Sequence, residues 1–151
     1  MRLIVGLGNP GSRYALTRHN MGFIVLETLA QEVNIPVGRR GFDALYGAGE
    51  IDGEPVVLAK PQTYMNLSGV AVGKLARFFK IDIGNIIVVH DDLDIAFQEI
   101  RVKEGGGDGG HKGLMSITDH LGRSDFIRIR AGIGRPDLKG MVESYVLSRF
   151  S

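Results

Sequence analysis

The stretch Leu3-Ile4-Val5-Gly6-Leu7-Gly8-Asn9-Pro10-Gly11 decides how the chain is read. An apolar run of strand type ends in a Gly/Asn/Pro cluster, which makes a tight loop at the strand's carboxyl end. Thr17-Arg18-His19-Asn20-Met21-Gly22 follows and leads into a helical pattern. There Met21, Val25 and Leu29 share a face with Leu26, Ala30 and Val33, and Pro36 stops the run. In an open α/β sheet, ligands bind just beyond the carboxyl ends of strands. The carboxamide of Asn9 and the imidazole of His19 are thus delivered to the place where such folds do chemistry. Histidine titrates near neutrality, so His19 can both take and give a proton there.

The alternation of strand and helix continues outward from this block. Residues 46–51 and 55–60 flank Asp52-Gly53, a strong two-residue hairpin signal. Leu67, Ala71, Leu75 and Phe78 mark a second helix, with Asn66 or Ser68 expected near its cap. Residues 86–89 are a continuous apolar run, as in a central strand buried on both faces. Ile100 and Val102 alternate with Arg101 and Lys103 in a more exposed strand. Leu114, Ile117 and Leu121 suggest a third helix, and residues 126–133 alternate apolar residues with arginine. Residues 141–150 open a last helix or loop. The expected fold class is α/β: a three-layer sandwich with a mixed, mostly parallel twisted sheet, helices on both faces and one β-hairpin.

At 151 residues the chain has the length of one domain with a single good core. Hydrophobic residues make up 44% and charged residues 23%, ordinary values for a globular protein. There is no cysteine, which removes disulfides, a thiol nucleophile and thiolate metal sites. There is no long apolar run and no signal-peptide pattern at Met1-Arg2-Leu3, so the expected compartment is the cytosol. The net charge is only +1, but residues 101–135 hold seven basic residues against four acidic ones. A local basic face can bind phosphates without a high overall charge; the bland alternative is a solvated surface of scattered charge.

The chemistry-bearing residues lie at strand ends and in loops. Residues 86–89 emit His90-Asp91-Asp92-Leu93-Asp94. A carboxylate beside an imidazole orients the ring and raises its basicity, which requires the first strand and this one to be neighbours. Turn and capping chemistry is the competing use of these acids, and Asp94 is assigned to it. Asn9 and Asn66 are loop carboxamides suited to a peptide group or an oxyanion. A loop asparagine also tolerates left-handed geometry, and that alternative stays open. Met65 reads as core filler from its type alone. Residues 105–113 are glycine-rich around His111, allowing close backbone approach to a ligand. Period two puts Arg101 with Lys103, and Arg128 with Arg130, on one face of each strand.

Five ordered blocks resemble the bacterial-type peptidyl-tRNA hydrolases. They are the opening block through Gly22; Lys60-Pro61-Gln62-Thr63-Tyr64-Met65-Asn66-Leu67-Ser68-Gly69; His90-Asp91-Asp92-Leu93-Asp94; Gly105-Gly106-Gly107-Asp108-Gly109-Gly110-His111-Lys112-Gly113-Leu114; and Arg128-Ile129-Arg130-Ala131-Gly132-Ile133-Gly134-Arg135-Pro136. The resemblance implies hydrolysis of the ester joining a peptide to tRNA, with no metal and no organic cofactor. It implies a catalytic pair of His19, the general base on water, and Asp91, its orienter. It implies substrate binding by Asn9, Met65, Asn66 and His111, with Tyr14 as a stacking contact on the 3′-terminal nucleotide. It implies that Arg101, Lys103, Arg128 and Arg130 meet phosphates of the tRNA acceptor stem, in a cytoplasmic monomer with no membrane partner.

Two departures stand out. Lys112 occupies a position where most of the family has asparagine, which keeps a donor, adds charge and loses the acceptor. The expected organisation is a single domain over residues 1–151, without the C-terminal helical segment that the family resemblance would imply after Ser151.

Three other readings compete. Gly6-Leu7-Gly8-Asn9-Pro10-Gly11 fits the dinucleotide-binding pattern G-x-G-x-x-G, but no helix opens directly after it and no acid ends a second strand at the right distance. His19, His90, Asp91, Asp92, Asp94 and His111 are ligand types for a metal-dependent hydrolase, without a short-spaced metal motif. A non-catalytic RNA-binding relative would account for Lys112 and the short C-terminus, but has no need of a His/Asp pair.

Overall fold

Strand β1 (Arg2–Gly6) sits in the middle of the molecule because its side chains are apolar toward both faces. The computed structural model describes residues 1–11, 20–92, 95 and 100–132. Two parallel neighbours flank β1: β4 (Glu54–Pro61) on one side and β5 (Ile86–Asp91) on the other. Strand β7 (Ile127–Ala131) extends the parallel set beyond β5. Antiparallel strands close the sheet at both ends: β3 (Ala44–Ile51) and then β2 (Arg39–Gly41) beyond β4, and β6 (Ile100–Glu104) beyond β7. The seven-stranded order among the described residues is β2-β3-β4-β1-β5-β7-β6.

Period two along the central strands splits the core in two. Ile4, Leu58, Ile87, Val89 and Ile129 face helix α1 (Met21–Glu32), which contributes Met21, Val25, Leu26 and Leu29. Leu3, Val5, Val57, Ala59, Ile86 and Val88 face the other way, toward α2 (Ser68–Phe78) and α3 (Lys112–Leu121). This is the mixed sheet with helices on both faces that the sequence pattern implies. The α2–α3 contact is backbone-close at Gly69, whose N–H donates to Ser116 Oγ at 2.8 Å. A Cβ at Gly69 would stand 2.1 Å from the Ser116 carbonyl oxygen.

The Asp52-Gly53 hairpin forms as expected, with positive φ at both turn residues (50° and 82°) as a primed turn requires. A second hairpin, between β2 and β3, has no such signature. Its turn residues Phe42 and Asp43 also lie at positive φ, 57° and 56°. Tertiary contacts offset that strain: the Phe42 ring packs on Tyr46, Phe78 and Phe79, and Asp43 pairs with Lys74. The start of α2 differs from expectation. A 3₁₀ turn (Met65–Leu67) precedes it, Leu67 is the N-cap, and no side chain caps the helix. Ser68 Oγ instead donates to the Met65 carbonyl at 2.8 Å. Among the described residues, no helix is long and apolar enough to cross a membrane. The expectation for residues 141–150 lies outside the described residues.

Candidate active site

The parallel strands all end on one side of the sheet, and there the loops beyond them border a cavity of about 530 Å³. Its wall takes Asn9 from the loop after β1, Met65 from the turn after β4, and Asp91 and Asp92 from the end of β5. Lys103 and Arg130 come from the β6–β7 edge, and the 107–110 loop, His111 and Lys112 close the circuit. The adjacency that the sequence could only require, β1 beside β5, is present in the sheet.

Asn9 is held at three points. The buried Asn20 side chain accepts from the Asn9 N–H at 2.8 Å and donates to the Asn9 carbonyl at 3.0 Å. The Asn9 Oδ1 accepts from the Met65 N–H at 2.7 Å. Because that partner is an N–H, the atom facing it is the oxygen, and the Nδ2 donor points elsewhere. No described residue takes that donor. Met65 is both core and cavity wall, at 7% exposure. Asn66 is exposed on the 3₁₀ turn and stands outside the cavity wall.

Asp91 meets His111 rather than standing alone. His111 Nε2 lies 2.9 Å from Asp91 Oδ1. The same ring caps α3: its Nδ1 accepts from the N–H groups of Gly113 at 3.1 Å and Leu114 at 3.4 Å. An acceptor Nδ1 assigns the proton to Nε2, which donates to the carboxylate. The first turn of α3 thereby fixes a histidine, and the histidine fixes Asp91. Both ring nitrogens of His111 are engaged within the protein.

His90, which sequence reasoning used only as a possible metal ligand, is a second imidazole in the wall. It is 2% exposed, and its ring meets that of His111 edge-on at 5.0 Å between centroids. Nδ1 lies 2.7 Å from the Asp91 carbonyl oxygen, which only accepts, so Nδ1 carries the proton. Nε2 is then a buried lone pair with no hydrogen-bond partner among the described residues. Burial, helped by the neighbouring His111, lowers the His90 pKa from 6.5 to about 4. The ring is therefore neutral at physiological pH.

Residues 3–151 match the family model described as peptidyl-tRNA hydrolase. The chain belongs to the peptidyl-tRNA hydrolase family. Its relatives include the peptidyl-tRNA hydrolase of Geobacter sulfurreducens, 53% identical over 150 residues, covering 99% of this chain and 77% of that one. The peptidyl-tRNA hydrolase of Bacillus thuringiensis subsp. konkukian is 49% identical over all of this chain and 81% of its own length. A crystal structure of peptidyl-tRNA hydrolase from Acinetobacter baumannii superposes with a TM-score of 0.89 at 39% identity, covering 99% of this chain and 86% of that one.

In this family member the four basic residues of the β6–β7 edge form cross-strand pairs, Arg101 opposite Arg130 and Lys103 opposite Arg128. Arg101 and Lys103 are exposed. Arg130 Nε donates to Asp92 Oδ2 at 2.8 Å and remains at the cavity wall. Arg128 departs from the expectation of a phosphate contact. It is 1% exposed, and its guanidinium donates to the carbonyls of Gly106 and Ser124 at 2.9 Å and to that of Gly107. Its carbon lies 4.4 Å from the centre of the Phe126 ring. Burial lowers its pKa, with Asp108 acting in the opposite sense. Arg128 is committed to tying down the glycine-rich loop.

His19, Tyr14 and Asp94 lie outside the described residues. Among the described residues, no group of three or more metal-ligating side chains is arranged around a common point.

Proposed function

We propose that the chain hydrolyses the ester between a peptide and the 3′-terminal ribose of tRNA, with His19 as the general base on water and Asp91 as the carboxylate that orients it. The observation that carries this reading is the convergence of Asn9, Asp91 and His111 on one cavity, in a chain of the peptidyl-tRNA hydrolase family. A carboxylate accepts several hydrogen bonds, so Asp91 can hold His111 and His19 together.

The Asn9 Nδ2 donor suits the substrate carbonyl as it becomes an oxyanion. Met65, Asn66 and Tyr14 serve the peptide and the terminal nucleotide in this reading. His111 acts through its grip on Asp91. Arg101, Lys103 and Arg130 meet the phosphates of the acceptor stem, where contacts position the nucleic acid without reading its sequence. Lys112 adds a cation at the cavity rim. An ester needs no cofactor for general-base hydrolysis. The substrate is a product of translation, which places the work in the cytoplasm.

The test is release of free tRNA from an N-blocked aminoacyl-tRNA, with His19→Ala alongside. Wild type should turn over and the variant should lose about a hundredfold or more in rate. Equal rates would overturn the assignment of the base, and an inactive but folded wild type would overturn the function.

A further inference from the structure

His90 has no task in the proposed hydrolysis, yet its burial carries a cost. Its Nε2 lone pair is buried and has no partner among the described residues, a condition that apolar rings of the same shape avoid. What the imidazole contributes is its other nitrogen. Nδ1–H donates to the Asp91 main-chain carbonyl at 2.7 Å, at the last residue of β5. The next residue is anchored from the far side, where the Asp92 N–H donates to the Ala131 carbonyl at 3.0 Å. The Asp91 side chain is held by His111. Backbone and carboxylate of Asp91 are thus gripped by two histidines whose rings also touch edge-on. His90 takes the carbonyl and His111 the carboxylate, so the two rings do not compete for the same acceptor.

We propose that His90 is a positioning residue for Asp91: its Nδ1–H fixes the Asp91 carbonyl and so sets the direction in which the carboxylate leaves the strand. Misplacement of a catalytic group by a fraction of an ångström lowers turnover more than it lowers binding. The inference rests on the reading of Asp91 as the orienting carboxylate.

The experiment compares kcat and KM for N-blocked aminoacyl-tRNA in wild type, His90→Phe, His90→Asn, Asp91→Asn and the His90→Phe/Asp91→Asn double variant, with thermal unfolding of each. Phenylalanine keeps the ring and removes both nitrogens. Asparagine places an amide N–H near the Nδ1 position and has nothing at Nε2. Expected are a cooperatively folding His90→Phe with kcat down about tenfold or more at nearly constant KM, and recovery of most of kcat in His90→Asn. The double variant should be no slower than Asp91→Asn, because a residue acting through Asp91 adds nothing once Asp91 is gone. Wild-type kcat in His90→Phe, or a folded His90→Asn as slow as His90→Phe, overturns the proposal. If His90→Phe does not fold, His90→Asn decides: wild-type kcat supports the proposal and a slow folded enzyme overturns it. Wild-type kcat in Asp91→Asn would instead sink the reading of Asp91, which separates the two failures.

Discussion

Single side chains in this protein hold function and stability in opposition. His90 titrates near 6.5 in the unfolded chain and near 4 in the fold. Between those values the unfolded state carries the extra proton, so acidification through that window favours unfolding. Above it both states are neutral and the fold loses nothing. The whole shift is worth about 3 kcal/mol. Urea unfolding at about pH 7 and about pH 4 should show the His90→Phe variant losing less stability on acidification than wild type, by about that amount. Arg128 makes the complementary case. Arg128→Met would strand the carbonyls of Gly106, Gly107 and Ser124, costing about 2–4 kcal/mol in the same assay. It should leave the salt dependence of tRNA binding unchanged, because the guanidinium does not face solvent. The sequence marked Asn9 and Asp91 as ends of apolar strand patterns and His111 as part of a glycine-rich loop, whereas Met65 had the look of core filler and only the family resemblance pointed it at the substrate. It could not reveal Arg128, whose alternation with Ile127 and Ile129 has the look of a half-exposed strand. The cover comes from carbonyls more than twenty residues away. Nor could it show that Asn20 turns from capping its helix to clasping Asn9.

Elements meet where side chains are smallest. The α2–α3 contact runs through Gly69 and Ser116, backbone against backbone. Gly69→Ala has no flexible neighbour to push aside, since its Cβ would meet a carbonyl at 2.1 Å. Overpacking of this kind should cost about 3 kcal/mol, read as a lowered midpoint of thermal or urea unfolding. It should also loosen the capped start of α3 and with it the His111–Asp91 contact, so activity should fall with stability. The element order was largely readable, because strand and helix periods are clear and Asp52-Gly53 marks its own turn. The β2–β3 hairpin was not, since Phe42-Asp43 bends through contacts made by α2 and the end of β4 rather than through its own preferences. The uncapped start of α2 has the same origin: Ser68 answers to a 3₁₀ turn that no local signal announces.

Across the whole molecule, the proposed catalytic groups and the exposed cations come from different strands. Asn9 and Asp91 stand at the ends of β1 and β5, whereas Arg101 and Lys103 sit on β6, at the edge of the described sheet, from which Lys103 reaches the cavity wall. Lys103→Ala should weaken tRNA binding and reduce the slope of log affinity against log salt by about one. kcat at saturating substrate should stay near wild type, as titrations at several salt concentrations would show. β6 pairs with a single neighbour, and all but one of its residues are exposed. Mutation there disturbs neither half of the core in depth. Affinity for the nucleic acid and the power to break its ester are therefore separately heritable. A lineage that meets a saltier interior could adapt by rewriting one marginal strand and leave the bond-breaking residues untouched.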